Sequence, residues 1–342
     1  MVSIKDIARH TGYGVSTVSA VLSNKAGSLG IKQATCDKIT AAAAELGYRR
    51  NNIAAQMQSG RSRMLVQFLP DFHGDYLSRS ALMANIAALK LGYTTREIVF
   101  SRNSDFRKLV DNAIEQRPAA FFAWNIQGPR LEILLHDSRR YKIPLALLDI
   151  DVEEADLCVI TDDLSGIRQA VDHLYELGHR RIVHATDTLK AQYAKNRFNA
   201  YAQCLKEKGL VLDKSLCYHD YMTSNPEKLI EYVKMLTSLR EPPTAVTCGS
   251  DYIAFKLMML FPRFGFRVPE DISLIGFGGL PLAKVAVPML TTIDQSLDRL
   301  GANAVETMIR LLNRKSVPAR ILQPTTLNIA QTTTIPKTGV QV

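Results

Sequence analysis

Two apolar runs near the N-terminus, each one helical face wide, restrict this chain more than any other feature. Ile4, Ile7 and Ala8 fall at i, i+3 and i+4; after Gly12-Tyr13-Gly14, the residues Val15, Val18, Val21 and Leu22 repeat that spacing. Ser3 followed three residues later by Asp6 predicts a helix N-cap with an acidic partner in the first turn, where the helix dipole favours negative charge. Gly12 and Gly14 supply backbone freedom for a tight turn. Two short helices joined this way form either a helical hairpin packed on a larger domain or a helix-turn-helix whose second helix enters the major groove of DNA. Spacing alone leaves both open.

Charge separates them. Up to Arg63 there are nine basic residues (Lys5, Arg9, Lys25, Lys32, Lys38, Arg49, Arg50, Arg61 and Arg63) against Asp6, Asp37 and Glu45, which puts +6 of the whole-chain +9 in this segment. A short basic headpiece suits a polyanion. At 342 residues, 46% hydrophobic and 22% charged, the chain reads as a soluble protein with room for more than one core. No apolar run reaches the length of a membrane span, and the N-terminus enters the amphipathic headpiece without an apolar signal core, so a cytoplasmic location is expected. Cys36, Cys158, Cys204, Cys217 and Cys248 are widely spaced and form no CxxC pair. Free thiols are expected, with neither disulfide nor zinc site.

A third helix fits 33–46, with Ile39, Ala42, Ala43 and Leu46 as its apolar face and Gly47 as its stop. From Met64 the pattern changes to apolar strands alternating with helices. Strand candidates are 64–69, 119–124, 145–150, 158–161, 181–185, 215–218, 245–248 and 273–277; helices fit 80–91, 106–117, 164–177, 197–208 and 252–264. The predicted class is α/β: a helix-turn-helix headpiece followed by two doubly wound parallel sheets. Ligands in such folds bind beyond the carboxyl ends of the strands, which favours a cleft between the sheets.

Several motifs in fixed order carry a resemblance. Ile4-Lys5-Asp6-Ile7-Ala8, Val15-Ser16-Thr17-Val18-Ser19-Ala20-Val21-Leu22 and Glu45-Leu46-Gly47-Tyr48 resemble the headpiece of the lactose repressor family of bacterial transcription regulators. Thr161-Asp162-Asp163, Leu177-Gly178-His179-Arg180-Arg181-Ile182, Pro269-Glu270-Asp271-Ile272-Ser273-Leu274-Ile275-Gly276-Phe277 and Leu290-Thr291-Thr292-Ile293-Asp294-Gln295 are similar to its effector domain, which in turn is like periplasmic sugar-binding proteins. The resemblance implies a headpiece over 1–50, a hinge over 51–62 and an effector-binding and dimerisation domain over 63–335. By analogy, 63–161 and 293–322 form one subdomain and 162–292 and 323–335 the other.

The same resemblance implies DNA contacts from Ser3, Val15, Ser16, Thr17, Ser19, Ala20, Asn24, Thr35, Tyr48, Asn51, Ala54 and Met57. Val15, Ser16 and Ala20 stand at base-reading positions. Thr17, Ser19, Asn24 and Thr35 are candidates for phosphate, and Met57 takes the place of a leucine that wedges into a base step of the minor groove. The family frequently has arginine where Ala20 stands and where Cys36 stands. Without an arginine–guanine contact, worth about 1–3 kcal/mol of discrimination, apolar contact with thymine methyls and DNA bending are expected to carry specificity. The implied partners are a near-palindromic double-stranded operator, a second copy of the chain, and a small-molecule effector, expected to be a carbohydrate.

Arg197 and Asp251 match effector-binding positions of the family, and Tyr76 a position at the pocket mouth. A guanidinium and a carboxylate facing one cleft suit vicinal hydroxyls or an anionic group. Trp124 and Tyr193 are candidate stacking surfaces for a sugar ring. The competing readings are a helix N-cap for Asp251, a surface helix residue for Arg197 and ordinary packing for both aromatics. The chain has Gly278-Gly279 where the family commonly carries Asp after Gly-Phe; a tight turn is expected there rather than a phosphate cradle. No HExxH or GxSxG motif occurs among the seven histidines and the serines, so no cofactor, metal or catalytic site is expected. The rivals are a solute-binding protein, which the basic headpiece opposes, and an α/β enzyme, for which no nucleophile or acid–base pair stands out.

Overall fold

The computed structural model describes residues 2–23, 26–49, 62–71, 75–220 and 226–337, in two units, Met1–Ser62 and Arg63–Val342. In the first, α1 (Ile4–Thr11), α2 (Val15–Leu22) and α3 (Gln33–Glu45) pack around Ile7, Val18 and Ile39, which are fully buried. Ala8, Val21, Ala42 and Ala43 complete that core. The capping box at Ser3 forms in full: its Oγ accepts from the Asp6 N–H, and the Asp6 carboxylate accepts from the Ser3 N–H at 2.9 Å. Gly12 ends α1 in the left-handed region at φ 73°, whereas Gly14 sits at φ −62°, open to any residue. Only the first glycine is needed for the turn. Past α3, Gly47 is left-handed; its N–H bonds to Ala44 O and the Tyr48 N–H bonds to Ala43 O. This Schellman arrangement brings Tyr48 back onto the headpiece core.

The second unit begins with β1 (Met64–Pro70), α4 (Asp75–Lys90), β2 (Thr94–Phe100), α5 (Phe106–Glu115), β3 (Ala120–Trp124), α6 (Pro129–Tyr141), β4 (Leu145–Leu148) and β5 (Leu157–Thr161). It continues through α7 (Asp163–Glu176), β6 (Ile182–Thr186), α8 (Gln192–Glu207), β7 (Tyr218–His219), α9 (Pro226–Thr237), β8 (Ala245–Cys248), α10 (Asp251–Leu260), β9 (Ser273–Gly278) and β10 (Thr291–Asp294). It ends with α11 (Leu297–Leu312), β11 (Arg320–Gln323) and β12 (Thr326–Asn328). One sheet runs β11-β5-β4-β3-β1-β2, parallel throughout; the other runs β12-β10-β9-β8-β6-β7, with only β12 antiparallel to its neighbour.

Alternate residues of each buried strand feed opposite cores, as the two-residue period requires. In β3, Phe122 and Trp124 join the core under α4 and α11, while Phe121 and Ala123 join the one under α5 and α6. The second sheet is covered likewise by α9 and α10 on one face and α7 and α8 on the other. The chain crosses between the sheets after β5, after β10 and after β11.

One strand expectation changes, and the strands β2, β10, β11 and β12 add to those expected. Within 215–218 the chain first makes a 3-10 turn over Lys214–Leu216, because the Asp213 carboxylate accepts from the Ser215 N–H at 3.0 Å. Only Tyr218–His219 pairs with the sheet. The edge strand β2, mostly exposed and polar, carries too little hydrophobic signal to have been singled out.

Candidate functional site

In the first unit, Val15 is 47% exposed and Ser16 is exposed at the start of α2, whose N-cap, Gly14, offers no side-chain bond to the first turn. Their side chains and free N–H groups are open to a partner. Thr17 and Ser19 are half-buried. Ala20 departs from expectation: it is only 8% exposed, so its methyl has little area for a base, and apolar readout falls to Val15. Ser3 is exposed, but its hydroxyl is held against Asp6 at 2.7 Å. Thr35 is half-buried in the first turn of α3, and Cys36 packs against the core. Lys5, Arg9, Lys32, Lys38 and Arg49 are exposed. Asn24, Asn51, Ala54 and Met57 lie outside the described residues.

In the second unit, the carboxyl ends of β4, β6 and β8 bring a second set of side chains together. Arg197 on α8 is only 4% exposed, which rejects the surface reading. Its Nε donates to Asp163 Oδ1 at 2.8 Å and its Nη1 to Gly249 O at 2.6 Å. The guanidinium lies over the Phe277 ring at 3.7 Å and near the Tyr193 ring at 5.2 Å. Nη2 takes no part in these bonds and remains a donor for a ligand. Beneath it, burial and the Arg197 charge hold His184 at about 3, so the imidazole is neutral at ordinary pH.

Asp251 is 1% exposed and is not the helix cap; Ser250 is, accepting from the Ile253 N–H at 3.3 Å. The Asp251 carboxylate instead accepts from the Leu280 N–H at 2.8 Å and from the Thr292 hydroxyl, tying α10 to the segment after β9 and to β10. A Cβ at Gly276 would lie 2.2 Å from Asp251 Oδ1, so glycine lets strand and carboxylate meet. Gly276 and Gly278 therefore make room for Asp251 rather than for a phosphate. Burial raises Asp251 to about 6 against the bonds from Thr292 and Leu280.

Asp149, directly after β4, was not anticipated. Its Oδ1 accepts from the N–H and hydroxyl of Thr161 at 2.9 and 2.8 Å, and its Oδ2 accepts from the Tyr76 hydroxyl. Loss of solvation and the like charge of Asp163 raise it to about 6, while the Thr161 donors and Arg197 pull the other way. Asp149 is also left-handed at φ 57°, an uncommon conformation for a non-glycine residue. Its place at a strand's carboxyl end was the available sequence signal. Tyr193 is half-buried and donates to Asp187 Oδ2 at 2.8 Å; burial and Asp187 keep its phenol protonated. Trp124 is fully buried, with its indole N–H on Ser80 Oγ at 3.1 Å. It belongs to the core and presents no stacking face, which corrects the expectation at that position.

The family model for "Bacterial regulatory proteins, lacI family" matches residues 3–51, and the "Periplasmic binding protein-like domain" model matches 171–333. The headpiece, residues 3–51, is thus similar to that of the lacI family. Among curated relatives, the HTH-type transcriptional regulator DegA of Bacillus subtilis is 27% identical over 337 residues, covering 97% of this chain and 98% of its own. The HTH-type transcriptional repressor CytR of Escherichia coli is 27% identical over 316 residues, covering 91% of this chain and 89% of its own. A Lac repressor dimer solved with operator and the anti-inducer ONPF has a TM-score of 0.82 at 23% identity, over 97% of this chain and 99% of that one. A CelR–cellobiose complex has a TM-score of 0.70 at 20% identity, over 97% and 100%. These structures share the fold. The chain is a DNA-binding transcription regulator with a periplasmic-binding-protein-like domain. Among the described residues, no helix is long and apolar enough to cross a membrane.

Proposed function

We propose that this protein is a cytoplasmic, non-enzymatic repressor whose two copies bind a near-palindromic operator, with affinity set by a carbohydrate or carbohydrate derivative in the cleft. One observation carries the reading. A basic helix-turn-helix headpiece stands on the same chain as strand ends that gather a buried guanidinium, with one nitrogen outside its protein bonds, beside buried carboxylates. Relatives named CytR, PurR and ribose operon repressor support repression, and the CelR–cellobiose complex supports a carbohydrate.

Val15 and Ser16 read bases, Thr17, Ser19 and Thr35 face phosphates, and the hinge from 51 to 62 carries Met57 to the minor groove. Arg197, Asp149, Tyr76 and Tyr193 face the effector, and Asp251 shapes the wall behind them. Exposed apolar residues on α4 (Leu82, Ile86 and Leu89) and around Val285, Val287 and Met289 provide surface for the second copy. Effector and operator are then linked by a coupling of about 1–3 kcal/mol, equal in both directions.

The test is selection of DNA sites from a random pool with the full-length protein, with and without a panel of mono- and oligosaccharides, sugar phosphates and nucleobases. A two-fold symmetric site whose affinity one of these compounds changes is expected. No preference over bulk genomic DNA under any condition overturns the proposal.

A further inference from the structure

We infer that Gln127, in the loop after β3, is a positioning residue that caps α8 from across the cleft and so links closure to the helix bearing Tyr193 and Arg197. An α-helix begins with N–H groups that have no partner inside the helix. In α8 the N-cap is Ala191, which has no side-chain acceptor to offer. Gln127 supplies one. The amide faces one donor and one acceptor, which assigns its ends: Oε1 accepts from the Gln192 N–H at 3.2 Å, and Nε2 donates to Lys190 O at 2.9 Å.

The two ends of this contact lie on different sheets. Gln127 follows a strand of the first sheet, and Gln192 opens a helix packed on the second. The segment between β6 and α8 is otherwise held by local bonds: Ala191 N–H to Thr188 O at 2.9 Å, and the Tyr193 hydroxyl to Asp187 at 2.8 Å. Thus the first turn of α8 gains its acceptor only while the sheets are approached as seen here. Separation uncaps the turn that carries Tyr193 and lies one turn before Arg197. A group that touches no ligand thereby favours the closed arrangement and orders residues that do. The relevance to effector response rests on the cleft being the effector site; the cap itself does not.

Gln127 is exposed, so its replacement leaves the cores intact. The test is hydrogen exchange at the Gln192 amide in the full-length, ligand-free protein, comparing wild type, Gln127→Ala and Gln127→Glu. Glutamate keeps the acceptor and loses only the donor, and its charge suits a helix N-terminus. Gln127→Ala is expected to speed exchange at Gln192 about tenfold, the loss of one net hydrogen bond. The second half of α8 should be unchanged, and Gln127→Glu should restore protection. Wild-type protection in Gln127→Ala, or equal loss in both variants, overturns the inference. Because neither DNA nor effector enters this measurement, its failure would leave the proposed function standing.

Discussion

Arg197 and Asp251 show how a side chain's neighbours change what it can do. Both occupy positions expected to face a ligand, yet both are already engaged by the protein, Arg197 through Asp163 and Gly249, Asp251 through Leu280 and Thr292. Arg197 keeps a donor free; Asp251 is largely spent as a brace. Replacing Asp251 with Ala leaves a buried N–H and hydroxyl without their acceptor, which costs about 1–3 kcal/mol each way such groups are measured. Urea denaturation of Asp251→Ala should show that loss, and a midpoint equal to wild type would mean the brace carries no weight. Asp149 is distinguished by titration. Its folded value of about 6 lies above the ordinary 3.8, so the folded state holds the proton longer. That stability is present below the unfolded value and is lost as pH rises through about 4 to about 6. Asp149→Asn cannot ionise, so its thermal midpoint relative to wild type should climb across that interval. Parallel curves would show that Asp149 titrates normally.

At the scale of elements, α4 and α11 approach closely at Gly301. A Cβ at Gly301 would fall 1.9 Å from Ser80 O, a backbone atom that cannot swing aside. Gly301→Ala should therefore force the helices apart and destabilise by about 1–3 kcal/mol or more, despite alanine's better helix propensity. A gain in stability would show that the contact relaxes freely. Gly301 had no signal in the sequence, because its partner lies far along the chain. Gly47 did: the apolar spacing of α3 ends beside it, and the Schellman bonds form within six residues. In the same way the apolar runs at 64–69 and 119–124 were legible, while β2, half polar at a sheet edge, was not.

For the whole molecule, the basic headpiece makes binding depend on released counterions. Arg9 is exposed and pairs with Asp6 at 3.2 Å on the surface. Arg9→Gln should weaken affinity for all duplexes alike and reduce the slope of log affinity against log salt by about one. An unchanged slope would remove Arg9 from the phosphate contacts. Val15→Ala, by contrast, should lower preference for the selected site over random duplex while sparing the slope.

The chain alone determined what neighbours in sequence can settle: the three headpiece helices, the Ser3–Asp6 cap, the surplus of charge before Arg63 and the succession of strands and helices. Each arises from bonds or faces a few residues apart, so its pattern is written locally. Tertiary structure alone decided that Ala20 is covered, that Trp124 belongs to the core, and that Asp149 meets Tyr76 and Thr161. It also decided that Gln127 reaches α8. Those outcomes depend on how distant segments pack and desolvate one another, and no period in the sequence encodes such an approach.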